Sequence, residues 1–332
     1  MSNDCSFIRV EAPARLHLGF LDPSATLGRR FGSIGLAIDA LATAVSVAPG
    51  AALNIIGAAD ERIEQLLDVL IRHYALPARF DLHVERATPP HVGLGSGTQL
   101  ALAIGTALTK AHGHEVNAGE LGQLLGRGRR SGLGLGLFEH GGLVVDAGHG
   151  PATRTPPLIS RLEFPDEWRV LLIFDDARRG LSGDTEIAAF SALPGLPAAV
   201  AAHLCHLTLL GVLPAIVERD FTLFSRAIAE IQAVIGEHFA VIQAGPYTSQ
   251  RVSDVIQFLR RQRGIEGVGQ SSWGPTAFAF VNGPAAADAA IDALRAAFAA
   301  EPNLRFMHCG AQNQGARLLP RLPTVPRRRA IG

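Results

Sequence analysis

The feature that most constrains the fold of this chain is a glycine-rich turn that leads directly into an apolar helix. The turn occupies residues 89–98 and reads Pro-Pro-His-Val-Gly-Leu-Gly-Ser-Gly-Thr. Glycine lets the backbone approach a ligand closely, and a helix N-terminus presents unpaired N–H groups and a positive dipole end to an anion. We therefore expect a helix that begins at about Ser96 and a phosphate site at its start. The expected donors are Gly93, Gly95, Ser96 and Gly97.

This turn does not match two familiar nucleotide-binding patterns. It lacks the spacing of the dinucleotide G-x-G-x-x-G motif, and no lysine follows its last glycine as in a Walker loop. A simpler explanation also stays open, in which the turn is a flexible connection and Ser96 is an ordinary N-cap. The turn therefore indicates an anion site without specifying the ligand.

Hydrophobic alternation predicts a first half that is rich in strands. Asn117 is expected to cap a helix that ends at Leu125, and the segment 126–136 is expected to be a loop because it is too glycine-rich to be regular throughout. Apolar residues at helical spacing predict one further helix over 60–73. Strands are predicted at 7–10, 16–20, 34–38, 44–48, 53–56, 80–84, 142–145 and 169–174.

The pattern changes near residue 177, after which helices dominate. Helices are predicted at 203–212, 221–235 and 249–263, before a strand, helix and strand within 276–308. Runs of strands followed by mixed helices and strands favour an α+β fold. We predict two domains, 1–177 and 178–332, the second ending in a short disordered tail around Arg327–Arg329.

Composition excludes several classes of protein. The chain has 332 residues, 48% of them hydrophobic, and its 30 basic side chains balance 30 acidic ones. This length and hydrophobic content can bury the cores of two domains, and the charge balance provides no global basic field for nucleic acid or anionic lipid. The three cysteines show neither metal-ligand spacing nor an even disulfide framework, and we find no apolar run of membrane-spanning length. We expect a soluble cytoplasmic protein with no nucleic-acid or membrane partner.

Two further passages resemble partners of the glycine turn in a known superfamily. Residues 13–20, Pro-Ala-Arg-Leu-His-Leu-Gly-Phe, are similar to the first GHMP motif, and residues 267–276 are similar to the third. Together with the turn at 89–98 they place three motifs in the GHMP order. The resemblance implies a GHMP-kinase fold. Its first domain would be of the ribosomal-protein-S5 second-domain type, its second ferredoxin-like, and the active site would lie in the cleft between them.

The departures from GHMP kinases resemble one branch of the superfamily, the β-ribofuranosylaminobenzene 5′-phosphate synthases of tetrahydromethanopterin biosynthesis. Gly97 stands where such kinases usually carry a second serine that helps to hold magnesium. The resemblance rests on residues 15–17, 32–35, 95–99, 126–131, 138–142, 180–183 and 270–275.

This resemblance implies that phosphoribosyl pyrophosphate condenses with 4-aminobenzoate or 4-hydroxybenzoate, forming a carbon–carbon bond and releasing CO2 and pyrophosphate. Two alternatives remain: an ATP-dependent GHMP kinase acting on a small alcohol, and an inactive member retained as a ligand sensor.

The implied chemistry requires anion binders more than bases. Departure of pyrophosphate leaves an electron-poor ribosyl carbon, so the protein must stabilise the leaving group and exclude water. Guanidinium groups bind phosphate or carboxylate in two-pronged fashion, although a solvated loop residue is the simpler explanation of any single arginine in the clusters. The arginine candidates are Arg15, Arg127, Arg129, Arg130, Arg178 and Arg179. The family motifs add substrate contacts at Ser33, Thr98, Ser182, Ser271, Ser272 and Trp273.

Three residues are predicted to be catalytic, namely His17, Glu139 and Arg179. Mg²⁺ is expected, with Glu139 and Asp146 as its ligands, and no organic cofactor is expected. Alternatives stay open for each: His17 as a core histidine, Glu139 in a salt bridge and Asp146 as a strand-end cap. Trp273 either stacks on the aromatic acid or anchors its loop to the core.

Quaternary structure is open at this stage. The helical surface around Leu204, Leu207, Leu209, Leu210 and Leu213 is apolar, which suits either the core or the interface of a homodimer.

Overall fold

The computed structural model of this chain describes residues 5–57, 61–180, 183–243 and 245–319. The predicted site residue Ser182 and the predicted disordered tail lie outside the described residues. The strands are β1 (Ile8–Asp22), β2 (Phe31–Pro49), β3 (Asn54–Ile56), β4 (Phe80–Arg86), β5 (Leu143–Asp146), β6 (Leu158–Leu162), β7 (Trp168–Asp175), β8 (Val268–Gln270), β9 (Ala277–Asn282), β10 (Leu304–Cys309) and β11 (Arg317–Leu319). The helices are α1 (Glu61–Tyr74), α2 (Ser96–Ala111), α3 (Ala118–Leu124), α4 (Leu133–His140), α5 (Gly183–Ala192), α6 (Ala198–Leu207), α7 (Leu213–Glu218), α8 (Phe221–Gln243), α9 (Gln250–Arg260) and α10 (Pro284–Ala297), with a π-helical turn over Thr208–Val212 between α6 and α7.

The first sheet has seven strands and is built around the long antiparallel pair β1 and β2. Its order is β11-β1-β2-β4-β3, and β5 and β6 continue from the other end of β2. The separate strands predicted at 7–10 and 16–20 are one strand, as are those predicted at 34–38 and 44–48. The pairing of β1 with β2 is irregular between Ala12 and Ala14 and between His17 and Gly19. Such irregularities interrupt the alternation of apolar and polar side chains, which is why one strand was predicted as two.

The second sheet has four antiparallel strands in the order β10-β7-β9-β8. Taken in chain order these are its fourth, first, third and second strands, with α10 connecting β9 to β10, which is the ferredoxin-like arrangement. The α+β fold is thereby confirmed.

The predicted domain boundary at residue 177 does not coincide with the division between the sheets. β7 precedes that boundary yet pairs only within the second sheet, and β11 returns to pair with β1 in the first. Sequence patterns identify strands but not their pairing partners, so this exchange was not visible in the sequence.

Helix α2 begins at Ser96 as predicted and fills the middle of the first domain. Its side chains Ala101, Leu102, Ile104 and Leu108 are fully buried in a core shared with the first sheet. Asn117 caps α3, also as predicted, because its side chain accepts the Glu120 N–H at 2.8 Å. The glycine turn is therefore fixed to a rigid element.

The predicted loop at 126–136 is only partly a loop, because α4 begins at Leu133. Two glycines lie inside this helix for reasons of packing. A Cβ atom on Gly134 would lie 2.7 Å from Thr98 Cγ2, and one on Gly136 would lie 2.6 Å from Leu158 Cδ1. Glycine content here reflects close approach to neighbouring elements, which a sequence pattern does not distinguish from a turn.

The expectation that no apolar run reaches membrane-spanning length was wrong. Residues Ala198–Glu218, which comprise α6, the π-helical turn and α7, are long and apolar enough to cross a membrane by length and composition. A core helix of a soluble protein passes the same test. One face of this helix packs into the core through Leu204, Val212 and Ile216, whereas Leu209 and Leu210 are more than 60% exposed.

Candidate active site

The glycine turn is shaped by Gly95, which has a left-handed backbone conformation with φ 75°. The Gly95 carbonyl accepts hydrogen bonds from the N–H groups of Thr98 and Gln99, both at 3.1 Å, so Gly95 is the N-cap of α2. Ser96 is the first helical residue, and its side chain makes no hydrogen bond within the described part of the chain. The alternative that Ser96 is the N-cap of α2 is therefore wrong.

Ser96→Ala is expected to change the free energy of unfolding by less than about 0.5 kcal/mol, because the side chain caps nothing. Denaturant unfolding measures this directly. A loss of about 1 kcal/mol, as for a removed N-cap, would contradict the assignment of Gly95 as the cap.

Two side chains tie the glycine turn to the other two motif segments. Arg15 Nη1 donates a hydrogen bond to the Gly93 carbonyl at 3.1 Å. The Ser271 hydroxyl donates to the same carbonyl at 2.8 Å and accepts the His17 N–H at 3.0 Å. Segments 13–20, 89–98 and 267–276 thus meet at one point, as the resemblance implied.

A cavity of about 390 Å³ opens beside this junction. Four arginines, a single carboxylate and two phenylalanines line it. The lining residues are Arg15, His17, Phe20, Thr98, Gly126, Arg127, Gly128, Arg129, Arg130, Ser131, Gly134, Glu186, Phe190 and Ser272. Excess positive charge next to an aromatic wall suits a ligand with both an anionic and an aromatic part.

Several donors at this cavity have no protein partner. Nε of Arg15, Nε of Arg127 and Nη1 of Arg130 are buried and make no hydrogen bond. A buried polar group without a partner costs about 1–3 kcal/mol, so such atoms at a cavity indicate a polar ligand. The donors fit the oxygen atoms of a phosphate or pyrophosphate.

The arginines also control the protonation of their neighbours. Burial lowers the pKa of Arg15 to about 10, an effect that Glu186 opposes and Arg130 reinforces. Burial, reinforced by the charges of Arg15 and Arg130, lowers the pKa of His17 to about 3. At neutral pH the cavity therefore contains a charged Arg15 and an uncharged His17, whose buried Nε2 has no partner and whose ring centroid lies 4.3 Å from that of Phe20.

Arg178 and Arg179 lie outside this cavity. Both side chains are exposed, and the turn that carries them is fixed by a 2.7 Å hydrogen bond from the Gly180 N–H to the His91 carbonyl. The backbone of this turn therefore contacts the glycine-rich segment, whereas neither Arg178 nor Arg179 is among the described residues that line the cavity.

Trp273 does not face the cavity. It is 1% exposed, stacks on Phe239 with ring centroids 4.2 Å apart and meets the edge of Phe190 at 5.3 Å. Of its two predicted roles the structure has the second, anchoring the loop to the core. Ser272, which adopts φ 57°, is the residue of this loop that lines the cavity.

Asp146 stabilises the end of the loop that carries Arg127, Arg129 and Arg130. It is fully buried, and its carboxylate accepts hydrogen bonds from Ser131 Oγ at 2.9 Å and from the N–H groups of Gly132 and Gly148 at 3.0 and 2.8 Å. Burial raises the pKa of Asp146, and these hydrogen bonds oppose the rise. Ser33, paired with Asp146 across β2 and β5, is buried too, and its hydroxyl has no partner.

Glu139 lies at a different surface. Its Oε1 accepts the Ala118 N–H at 3.0 Å, and Glu139 and His140 line a separate hollow. Neither Glu139 nor Asp146 is thus brought into the arginine-lined cavity. Within the described ranges, no group of three or more His, Cys, Asp or Glu residues is placed to hold a metal ion.

Three cavity residues, Glu186, Phe190 and Phe20, were not predicted from the sequence. Glu186 and Phe190 belong to α5, which follows the predicted motifs, and Phe20 closes a motif that was interpreted through its arginine and histidine. Their four-residue spacing puts Glu186 and Phe190 on one helix face, but no local signal shows what that face contacts.

Comparisons with known proteins agree with this geometry. Residues 61–139 match the GHMP kinases N terminal domain, and residues 212–300 match the GHMP kinases C terminal domain. The β-ribofuranosylphenol 5′-phosphate synthase of Archaeoglobus fulgidus is 31% identical over 294 residues, which cover 83% of this chain and 88% of that protein. The chain belongs to the β-ribofuranosylphenol 5′-phosphate synthase family.

A second member of the family, from Methanothermobacter thermautotrophicus, is 28% identical over 81% of this chain and 87% of its own length. Solved structures show the GHMP fold more widely. Homoserine kinase from Cytophaga hutchinsonii superimposes with a TM-score of 0.62 at 18% identity, covering 95% of this chain and 98% of that one. Mevalonate diphosphate decarboxylase from Staphylococcus aureus gives 0.67 at 15% identity, with the same coverage. Family membership favours the synthase branch over the kinase alternative.

Proposed function

We propose that this chain condenses phosphoribosyl pyrophosphate with a 4-substituted benzoate, releasing CO2 and pyrophosphate and forming a carbon–carbon bond between ribose and ring. The observation that carries the proposal is the cavity in which buried arginine nitrogens without partners face the aromatic side chains Phe20 and Phe190. The relatives' name describes a phenol product, which favours 4-hydroxybenzoate over 4-aminobenzoate as the acceptor.

The bond changes assign separate tasks to the two sides of the cavity. As the ribosyl carbon–oxygen bond breaks, its electron pair leaves with pyrophosphate, and the guanidinium groups of Arg15, Arg127 and Arg130 stabilise that charge. The ring carbon that bears the carboxylate supplies the pair for the new bond. The carbon–CO2 bond then breaks and returns its pair to the ring.

Water must be kept from the electron-poor ribosyl carbon during this sequence. Phe20 and Phe190 form an apolar wall against which the acceptor ring can pack, and water is excluded there. Uncharged His17 offers Nε2 to a hydroxyl of either substrate without adding positive charge beside the electrophile. We propose His17 as a hydrogen-bonding residue of the site, not as a base that is half-protonated near neutrality.

We propose that Mg²⁺ enters the site bound to the substrate. Mg²⁺ binds one or two carboxylates together with phosphate oxygens and water. Glu186 is the one carboxylate among the described residues that line the cavity, and Arg130 engages it at 2.5 Å. Because Glu139 and Asp146 lie elsewhere, the donor set does not fit a magnesium site held by the protein. We propose that Mg²⁺ arrives on the pyrophosphate oxygens.

The decisive experiment incubates the protein with phosphoribosyl pyrophosphate and carboxyl-labelled 4-hydroxybenzoate or 4-aminobenzoate. We expect labelled CO2 and an equal amount of pyrophosphate, with the hydroxy acid as the better acceptor. A matched incubation replaces the donor with ATP and a small alcohol. Transfer of the γ-phosphate with no release of labelled CO2 would overturn the proposal in favour of a kinase.

Arg179→Lys is expected to raise the KM for one of the two substrates about tenfold, because lysine keeps the charge but loses the two-pronged contact. The melting temperature should stay within about 1 °C, since an exposed guanidinium adds little stability. Arg72→Lys, on the exposed face of α1, is the matched control. Unchanged KM values for both substrates would make Arg179 a solvated loop residue.

A cytoplasmic location and a homodimer remain part of the proposal. The charge balance supports the absence of a nucleic-acid partner. The exposed side chains Leu209, Leu210 and Val217 provide an apolar surface on which a second copy can pack.

A further inference from the structure

Helix α5 contacts Arg130 at two points that lie one helical turn apart. Glu186 Oε2 accepts a hydrogen bond from Arg130 Nη2 at 2.5 Å. The Phe190 ring lies beneath the same guanidinium group, whose carbon is 5.4 Å from the ring centroid. An ion pair and a cation–π contact from one helix therefore hold one arginine.

Phe190 is itself fixed by the core. Its ring makes edge contacts with Phe20, Phe31 and Trp273, with centroids 5.5, 5.5 and 5.3 Å apart. Core packing thus fixes the position of the Phe190 ring. The ring in turn restricts the position of the Arg130 guanidinium group that packs on it.

Arg130 needs such support because its own loop provides little. The loop contains Gly126 and Gly128, both with positive φ, and the bond to Glu186 is the one hydrogen bond of the Arg130 side chain within the described ranges. A long side chain on a glycine-rich loop loses considerable conformational entropy when it is held in one orientation. The α5 contacts supply that ordering before any ligand arrives.

The contacts leave the ligand-facing part of the guanidinium free. A guanidinium group has five N–H donors, and Glu186 takes a donor on Nη2. Nη1 stays buried without a partner at the cavity that also contains the free Nε of Arg15. Glu186 therefore orients the fork and does not occupy the whole of it.

We propose that Glu186 and Phe190 form a clamp, here called the α5 clamp, which positions Arg130 to bind the anionic group of the phosphoribosyl donor. Both are positioning residues, since they act through Arg130. The inference rests on the proposed function for the identity of the anion, and it rests on the geometry for the anion-binding role. It makes α5, and not only the motif loops, part of the substrate site.

The test measures binding of inorganic pyrophosphate by calorimetry, which requires no turnover. Glu186→Gln keeps the shape of the side chain but removes its charge, and we expect the Kd for pyrophosphate to rise about fivefold to twentyfold. In the Arg130→Met background the same change should have no further effect, because nothing remains to be positioned. Glu163→Gln removes an exposed carboxylate that pairs with Arg161 at 3.5 Å and is the control, expected to leave Kd unchanged.

Opposite results would overturn the clamp. Tighter binding by Glu186→Gln would mean that the carboxylate competes with the ligand for Arg130, and equal losses with and without Arg130 would mean a general structural role. Phe190→Leu provides a second variant, expected to weaken pyrophosphate binding while the rest of the core stays packed. Unchanged Kd values in both variants would also overturn the inference.

The proposed reaction and the α5 clamp are tested by different measurements, so either can fail without the other. If the wild-type protein binds pyrophosphate, loses affinity in Glu186→Gln, and yet releases no labelled CO2 from the acceptor, the reaction is wrong and the clamp stands. If the wild-type protein does not bind pyrophosphate, the clamp is wrong whatever the reaction. When turnover is observed, Glu186→Gln should raise the KM for phosphoribosyl pyrophosphate and leave that for the acceptor unchanged.

Discussion

Gly95→Ala is expected to lower kcat/KM by about 100-fold while the protein remains folded. A Cβ atom at this position would lie 2.7 Å from Nε and 2.8 Å from Cγ of Arg15, so the arginine side chain must shift from its position in the cavity wall. Misplacing a substrate-binding group by about 1 Å costs on the order of 100-fold in rate. Steady-state kinetics with both substrates, together with a thermal melt, measure the effect.

Gly113→Ala separates this displacement from backbone strain. Gly113 has φ 79°, close to the 75° of Gly95, and a Cβ atom there would meet nothing within 4 Å. Both variants should lose about 1–2 kcal/mol of stability from the left-handed conformation, whereas only Gly95→Ala should lose activity. Equal activity in the two variants would remove the contact between Gly95 and Arg15 from the site.

Gly95 and Arg15 show which features of the site can be predicted from the sequence and which cannot. The glycine turn, the start of α2 and the Asn117 cap depend on neighbours within a few residues, and all three were predicted correctly. That Gly95 is needed for the approach of Arg15, and not only for a phosphate, depends on a contact between positions 80 residues apart. Local patterns hold no information about such a contact.

The carboxylates show that residues close in sequence do not always meet in the fold. Glu139 and Asp146, the predicted magnesium ligands, follow closely after residues 126–131 in sequence, yet Glu139 accepts the Ala118 N–H of α3 and Asp146 is enclosed by N–H donors. Glu186, 56 residues from Arg130 along the chain, is the carboxylate that reaches the cavity. Proximity in sequence was a poor guide to which residues meet.

Burial of His17 is expected to make the folded protein lose stability as the pH falls below about 6.5. The folded pKa of about 3 is far below the ordinary histidine value of 6.5, so below pH 6.5 the unfolded chain binds a proton that the folded chain does not. The contribution is therefore fully present above pH 6.5 and is lost progressively towards pH 3. Each pH unit in between costs up to about 1.4 kcal/mol.

Burial also lowers the pKa of His238 and raises that of Asp146, so the contribution of His17 is measured as the difference between the wild-type protein and His17→Gln from pH 7 to pH 5. Asp175, whose pKa is held low by Ser249 and Arg251 against the effect of burial, loses its charge below that window. Over that window we expect unfolding by denaturant to show a loss that is larger by about 2 kcal/mol in the wild-type protein than in His17→Gln. His206→Gln, on an exposed face of α6, is the control and should keep the full loss.

Pyrophosphate provides a second and independent arm of the same experiment. The charges of Arg15 and Arg130 help to hold the pKa of His17 down, so an anion bound between them must raise it. Saturating pyrophosphate should therefore flatten the pH dependence of the wild-type protein, and its binding should be accompanied by proton uptake below pH 6 in buffers of different ionisation enthalpy. A slope that is the same in His17→Gln and in the wild-type protein would show that the pH dependence comes from other groups. A slope that pyrophosphate leaves unchanged would place the anion away from Arg15 and Arg130, and with it the substrate site.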